Sequence, residues 1–425
     1  MTEEFLQYVW ANSLFKSTRC LSTKGKAVEI LNVGLLNRDA GPDFFSAKVR
    51  VGNSLFVGNV EIHQKASDWF RHGHEKDAVY DNVILSVVGD ADMEVHDSRN
   101  REIDAIVLQY DSRLWDEYVF MQGVPVEPRC YRNLQRIEPM RMDMLLTGYA
   151  IERLERKCED IKVMLDETTC DWEACFYRML VRYWSGNVNA DAFAQLAQNL
   201  SYKKVIRCSD SLFRVEALLL GYSGLLSGVE QEDDYTIALR EEYEYQAAKF
   251  DLTAMQRAQW KYMRIRPTSF PTVRLALLAS LMMRFNFLLS AMLEAEHLPE
   301  IYKLLDVQAS DYWDTHYKPG VLSAKQVKRL GNNMKTIIVI NAIVPFLFVH
   351  GKERKEEHYC DKAIQWLEEL GAEHNHVTEA WTRRGIKLKS ALQSQALLQI
   401  KREYCDVHRC LHCKVGCEVF RRVLK

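Results

Sequence analysis

Nothing in this chain reads plainly as a membrane span, because no run of about 20 apolar residues is free of charge. The longest apolar stretch, residues 272–293, holds Arg274 and Arg284, and TIIVINAIVPFLFV (336–349) is too short and carries Pro345. The first fifteen residues open acidic and lack a basic leader region, so no secretory signal is expected. Charge of one sign is also missing. A net charge of −2 removes any global electrostatic argument for a polyanionic partner. Low-complexity and proline-rich linkers are absent, as is any clear internal repeat. Eleven cysteines, an odd number with four in the last twenty-one residues, suit a reducing compartment and a metal site better than a disulfide framework. The expectation is a cytoplasmic protein with no membrane segment.

What is present changes texture along the chain. The 425 residues exceed one ordinary core. Residues 1–135 read as mixed α/β. MTEEFLQYVWANSLF has a helical apolar stripe of Phe5, Val9, Trp10 and Leu14, and KAVEILNVG reads as a strand. FFSAKVRV alternates, which predicts Phe45, Ala47, Val49 and Val51 on one face. GNS is a hairpin turn, followed by the strand LFVGNVEIHQK. A short helix is predicted in SDWFRHGHEKDAVYD, capped by Ser67 or Asp68. NVILSVVG reads as a strand buried on both faces, and MEVHDSR with REIDAIVLQY as a further hairpin. Residues 136–400 are predicted to be helical, since RIEPMRMDMLLTGYAIERLERKCEDIKVML, WEACFYRMLVRYWSG, DAFAQLAQNL and KAIQWLEELG repeat apolar residues every three or four. Residues 401–425 form a cysteine-rich tail. The fold class expected is therefore α+β.

The segment 41–77 concentrates three His, two Glu and three Lys in one hairpin and the turn after it. Asp43 opens one strand. Glu61, His63 and Lys65 alternate along the next and so share a face, opposite Val60 and Ile62. If the strands pair across GNS, Asp43 and Glu61 converge as carboxylate ligands for a hard cation, Mg²⁺ or Mn²⁺. A nearby His or Lys then orients a metal-bound water or stabilises charge on a phosphate. His72 and His74 point apart on a regular helix but can meet in a loop, where they offer a zinc site with His63 and Asp68 or Asp77.

The pattern of Asp43 after Pro42, then Glu61-Ile62-His63 on the next strand, resembles the PD-(D/E)xK nuclease core, as does the order helix, three strands, helix, strand. The resemblance implies a nuclease-like N-terminal domain with metal-dependent phosphodiester hydrolysis on DNA or RNA, and catalytic residues Asp43, Glu61, His63 and Lys65. His63 stands at the position of the family's lysine, and Lys65 is the substitute on the same face. The alternatives are a non-catalytic protein that keeps the fold and binds nucleic acid or another partner, and a zinc-dependent hydrolase of another substrate. Over its whole length the chain also resembles the bacterial family called domain of unknown function 2851, through AGPDFFSAKVRV, GNVEIHQKASDWFRHGHEKDAVYDNVILSVV, RIRPTSFPTVRLALLA and YCDVHRCLHCKVG. That likeness implies no particular activity. It departs at Ser86, where the family is expected to favour His.

Two further clusters carry expectations. Cys405, Cys410, Cys413 and Cys417 are spaced C-x4-C-x2-C-x3-C, a pattern for zinc or an iron–sulfur cluster, with Gly416 permitting a bend. A Cys elsewhere, or a His, is the alternative fourth ligand. In WKYMRIRPTSFPTVR, the residues Lys261, Arg264, Arg266 and Arg274 lie among Trp260, Tyr262 and Phe270, a composition that suits nucleic-acid contact. The windows 252–293 and 315–352 contain no acidic residue.

Overall fold

The computed structural model describes residues 1–424 except 38, 187, 230 and 285–287. The chain forms two compact units. The first comprises Met1–Leu145, Glu379–Ile386 and Ile400–Lys425, and the second Leu146–Thr378 and Lys387–Gln399. The cysteine-rich tail thus folds with the N-terminal sheet.

The first unit opens with helix α1 (Glu3–Ala11), which buries Phe5, Leu6, Val9 and Trp10. Strands β1 (Arg19–Leu21), β2 (Ala27–Asn32), β3 (Leu35–Leu36), β4 (Phe44–Val51) and β5 (Ser54–Lys65) follow. Helix α2 (Asp68–Arg71) leads to β6 (Val83–Asp90). Next come β7 (Val95–His96), β8 (Glu102–Ile103), β9 (Ala105–Val107) and helix α3 (Ser112–Gly123). The sheet runs β1-β2-β4-β5-β6-β9, with β3 also on β4. β4 and β5 are antiparallel, whereas β6 lies parallel to β5, and β9 parallel to β6. The predicted hairpin after β6 is split. β7 and β8 pair with each other, while Ala105–Val107 joins the main sheet.

One prediction about β4 is overturned, and the reason positions the site. Phe44, not Phe45, is buried together with Ala47, Val49 and Val51. Phe44 faces Val60 and Ala47 faces Gly58, so β4 carries one extra residue there. Ser46 takes up the irregularity with φ 57°. An extra residue reverses side-chain parity beyond it. Without it Asp43 would fall opposite Ile62, on the wrong face. With it, Asp43 falls opposite Glu61.

The sheet is closed by an apolar cluster of Ala66, Trp69, Val83, Val88, Val95 and Ile103. Trp69 is wholly buried and its indole N–H donates to His96 O at 2.9 Å. Trp69→Ala should cost about 3–5 kcal/mol through the cavity it leaves and the orphaned carbonyl. Urea denaturation followed by circular dichroism measures it. A loss below about 1 kcal/mol would mean that the cluster collapses onto the gap.

The second unit is helical, as expected, except for a short antiparallel hairpin of His316–Lys318 with Val321–Leu322 that apolar periodicity did not reveal. Helix α4 (Pro139–Glu167) contains the boundary between the units. The segment judged too short for a span lies in a longer helix, Asn332–Arg354, of 23 residues. A π turn at Val339–Ile343 lets the helix run on through Pro345, which has no N–H to donate. By length and composition alone this helix is apolar enough to cross a bilayer, yet 83% of its apolar window is buried in the protein. The acid-free windows spend cations on backbone carbonyls. Arg257 donates to Ser227 O and Gly228 O, Arg284 to Asp306 O, and Lys328 to Asp314 O.

Candidate metal centre

The bulge and the turn after β5 bring five side chains together. Backbone N–H groups and carboxylates cross-link Asp43 to the Glu61–Ile62 pair. Asp43 N–H donates to Glu61 Oε2 at 2.9 Å, and Ile62 N–H donates to Asp43 Oδ2 at 2.9 Å. Gln7, from α1, donates to Asp43 Oδ1 at 2.8 Å. Each of these oxygens therefore already accepts from the protein. Glu61 Oε1 points instead toward imidazoles, 3.3 Å from His74 Nε2 and 3.8 Å from His63 Nε2.

His72 and His74 meet His63 because the predicted helix is cut short. α2 is four residues long, and Gly73 then adopts φ 78° before a 3₁₀ turn at His74–Lys76. A left-handed residue between two histidines swings them onto the same side. Neither predicted cap closes this helix through a side chain. Ser67 bonds Asp92, and Asp68 accepts from Lys65 N–H. One ligand atom each from His63, His72 and His74 lies within 4.8 Å of the others. His63 is fully buried and His74 nearly so, while His72 is exposed. Both ring nitrogens of His63 and Nε2 of His74 are buried without a hydrogen-bond partner. Such orphaned groups are costly unless something binds them.

Electrostatics agree with a ligand site. Burial, then the neighbouring imidazoles His74 and His72, push His63 down to about 3, leaving a neutral ring with a lone pair. Burial, then the Glu61 charge, raise Asp43 to about 7. Burial and the Glu61 and Asp68 charges also raise Glu3, on α1 beside the cluster. His74 stacks on Tyr80 with ring centroids 3.8 Å apart, and Trp69 stands edge-on at 5.2 Å. Ser86, aligned with Glu61 across β5 and β6, is fully buried, and its hydroxyl has no partner.

The remaining sequence-derived residues fall elsewhere. Lys65 is exposed; Asp92 near it is held below the usual carboxylate range by hydrogen bonds from the Ser67 hydroxyl and N–H, with the Lys65 charge a lesser contribution. Lys261, Arg264 and Arg266 are exposed in the second unit. Arg274 is buried, donating to Ser269 Oγ at 3.2 Å, so it is not displayed with them. The aromatic residues there are packed: Trp260 is buried with its N–H on Ser223 O, and Tyr262 stands against Phe270. Cys405, Cys410 and Cys413 converge, but Cys417 turns away, its thiol donating to Leu411 O at 3.2 Å. Gly416 does not make a bend. It lies in the helix Lys414–Val423, where a Cβ would meet Cys410 O at 2.4 Å.

Fold and cluster define an α+β protein with a histidine–carboxylate centre seated at a β-bulge. The chain belongs to the family described as protein of unknown function DUF2851, matched over residues 3–376. The four tail cysteines lie beyond the matched residues. No curated protein and no solved structure matches the chain.

Proposed function

We propose that this protein is a metal-dependent hydrolase of phosphodiesters, acting on DNA or RNA. The observation that carries the reading is the meeting of His63, His72 and His74, with Glu61 Oε1 beside two of them and with both ring nitrogens of His63 and Nε2 of His74 buried and unpartnered. Three imidazoles and one carboxylate suit Mn²⁺ or Zn²⁺ better than Mg²⁺, whose preference is oxygen. Asp43 holds Glu61 rather than offering a bare ligand of its own. A cation there would lower the pKa of a bound water and stabilise charge on the phosphate. His72, exposed at the rim, is the residue placed to meet substrate. The choice of phosphodiester rests on the likeness to the PD-(D/E)xK arrangement, which the pairing of β4 with β5 and the parallel β6 support. The imidazole-rich ligand set favours a second reading, a zinc-dependent hydrolase of another substrate.

Calorimetric titration with Mn²⁺, Zn²⁺ and Mg²⁺ tests the centre, and cleavage of single-stranded, double-stranded and branched DNA and RNA tests the substrate. His72→Ala, at an exposed position, should weaken Mn²⁺ or Zn²⁺ by at least about tenfold without unfolding the protein. Binding without cleavage of any nucleic acid favours the second reading. Absence of binding leaves the non-catalytic alternative.

A further inference from the structure

Two neighbouring stretches of the second unit display cations that hold nothing in the fold. The loop 261–270 carries Lys261, Arg264 and Arg266, and the hairpin of His316–Lys318 with Val321–Leu322 carries Lys318, with Lys325 just beyond it. All five are exposed, and none is in an ion pair among the described residues. Other cations of the same acid-free windows are engaged, Arg257, Arg284 and Lys328 with carbonyls and Lys335 with Asp306 at 2.8 Å. Loop and hairpin touch. Thr272 Oγ1, just after the loop, donates to Tyr317 O at 2.6 Å. Lys318 Nζ lies 5.1 Å from the centroid of the Tyr262 ring and 5.6 Å from that of Phe270. Tyr262 stands edge-on to Phe270 with centroids 4.9 Å apart, and buried Arg274 donates to Ser269, so the loop is held from within. Its outer side is apolar as well as cationic. Met263 is 82% exposed and Leu322, on the hairpin, 79%. Arg264 follows Met263 with φ 61°, a left-handed conformation unfavourable to a residue with a Cβ.

We propose that this loop and hairpin bind single-stranded nucleic acid. Charge selects a polyanion. Cations without a carboxylate partner are free to neutralise phosphates, and the guanidinium fork of Arg264 or Arg266 fits a phosphate bidentately. The apolar tips select the single strand. Met263 and Leu322 gain little against a duplex, which turns phosphates and groove edges outward. A single strand lays open base faces that an apolar side chain can cover. The choice of nucleic acid over an anionic lipid surface rests on the reading of the histidine centre as a phosphodiesterase. Phosphate contacts carry no sequence information, so binding should be indifferent to sequence.

The test is fluorescence anisotropy of the full-length protein in EDTA, so that neither metal nor cleavage enters. The probes are labelled strands of mixed sequence about 20 nucleotides long, as DNA and as RNA, and their duplexes. Wild type should bind a strand of at least one kind about tenfold or more tighter than its duplex. Arg264→Asn with Arg266→Ala should weaken strand binding at least about tenfold at low salt and flatten the slope of log affinity against log salt by about 1.4. Arg207→Ala with Lys387→Ala removes equal charge from exposed positions elsewhere in the unit and should change affinity less than about twofold. Met263→Ser should reduce the preference for strand over duplex and leave the salt slope as it is. No strand binding by wild type, equal weakening in the two double variants, duplex bound as tightly as strand, or binding to phosphatidylserine vesicles in place of oligonucleotide would each overturn the proposal. Because metal is left out, such a failure does not touch hydrolysis at the histidine centre, which the metal titration judges separately.

Discussion

Glu61→Gln should yield a folded protein whose metal-dependent cleavage is at least about 10³-fold slower than wild type, the scale on which a site loses its charge-stabilising centre. Glutamine keeps the shape and can still accept the Asp43 N–H through one oxygen. The atom that faces His74 and His63 then becomes an amide donor, and the negative charge that would hold the cation is gone. Stability should hold or rise, because the buried carboxyl of Asp43 no longer faces a second one. Thermal unfolding and a cleavage assay on the same sample separate the two effects. A Glu61→Gln variant with wild-type cleavage would remove the cluster from the chemistry. Loss of cleavage together with a lowered melting temperature would mean that Glu61 is a structural residue only.

Much of this centre was legible in the sequence. Alternation placed Glu61 and His63 on one face of β5, and the GNS turn announced the pairing that brings Asp43 near. Two things were not legible. Periodicity cannot register the extra residue in β4, since FFSAKVRV alternates equally well starting from Phe45, and only the pairing with β5 reveals that Phe44 is inside. The meeting of His72 with His74 depends on the left-handed Gly73. Glycine between two histidines was the signal available for it, but a helical reading of SDWFRHGHEKD masks it. Spacing within the tail groups Cys417 with the other three cysteines because spacing counts neighbours in the chain, whereas the small void lined by Cys405, Cys410 and Cys413 takes in Cys130 from far outside it. The helical half was plainer. Amphipathic periods of three and four are local, and packing did not override them, even through Pro345.

That helical unit carries a large expected pH effect. Lys157, on α4, is buried with its ammonium 3.3 Å from Asn341 Oδ1 and no carboxylate in hydrogen-bond contact among the described residues. Burial, with the Arg153 charge adding to it, lowers its pKa from 10.5 to about 7. In the unfolded chain the group returns to the ordinary value, so between pH 7 and 10.5 the unfolded state binds a proton that the folded state does not. The sign follows: the cost of burying Lys157 is fully present below pH 7 and fades as pH rises toward 10.5. At about 1.4 kcal/mol per unit, the lowering corresponds to at most about 5 kcal/mol. Lys157→Met keeps the stem and removes the charge. It also strips Asn341 of a donor, a loss of about 1–3 kcal/mol. The variant should therefore be more stable than wild type near pH 6 by about 2–4 kcal/mol. That advantage should shrink and reverse by pH 10, where the neutral amine no longer carries a penalty and only the lost hydrogen bond remains. Melting temperatures of both proteins from pH 6 to 10 measure this directly, and the difference between the curves cancels every other titrating group. A difference that stays constant over that range would mean that Lys157 keeps its proton when folded, held by a water or a carboxylate that moves to meet it.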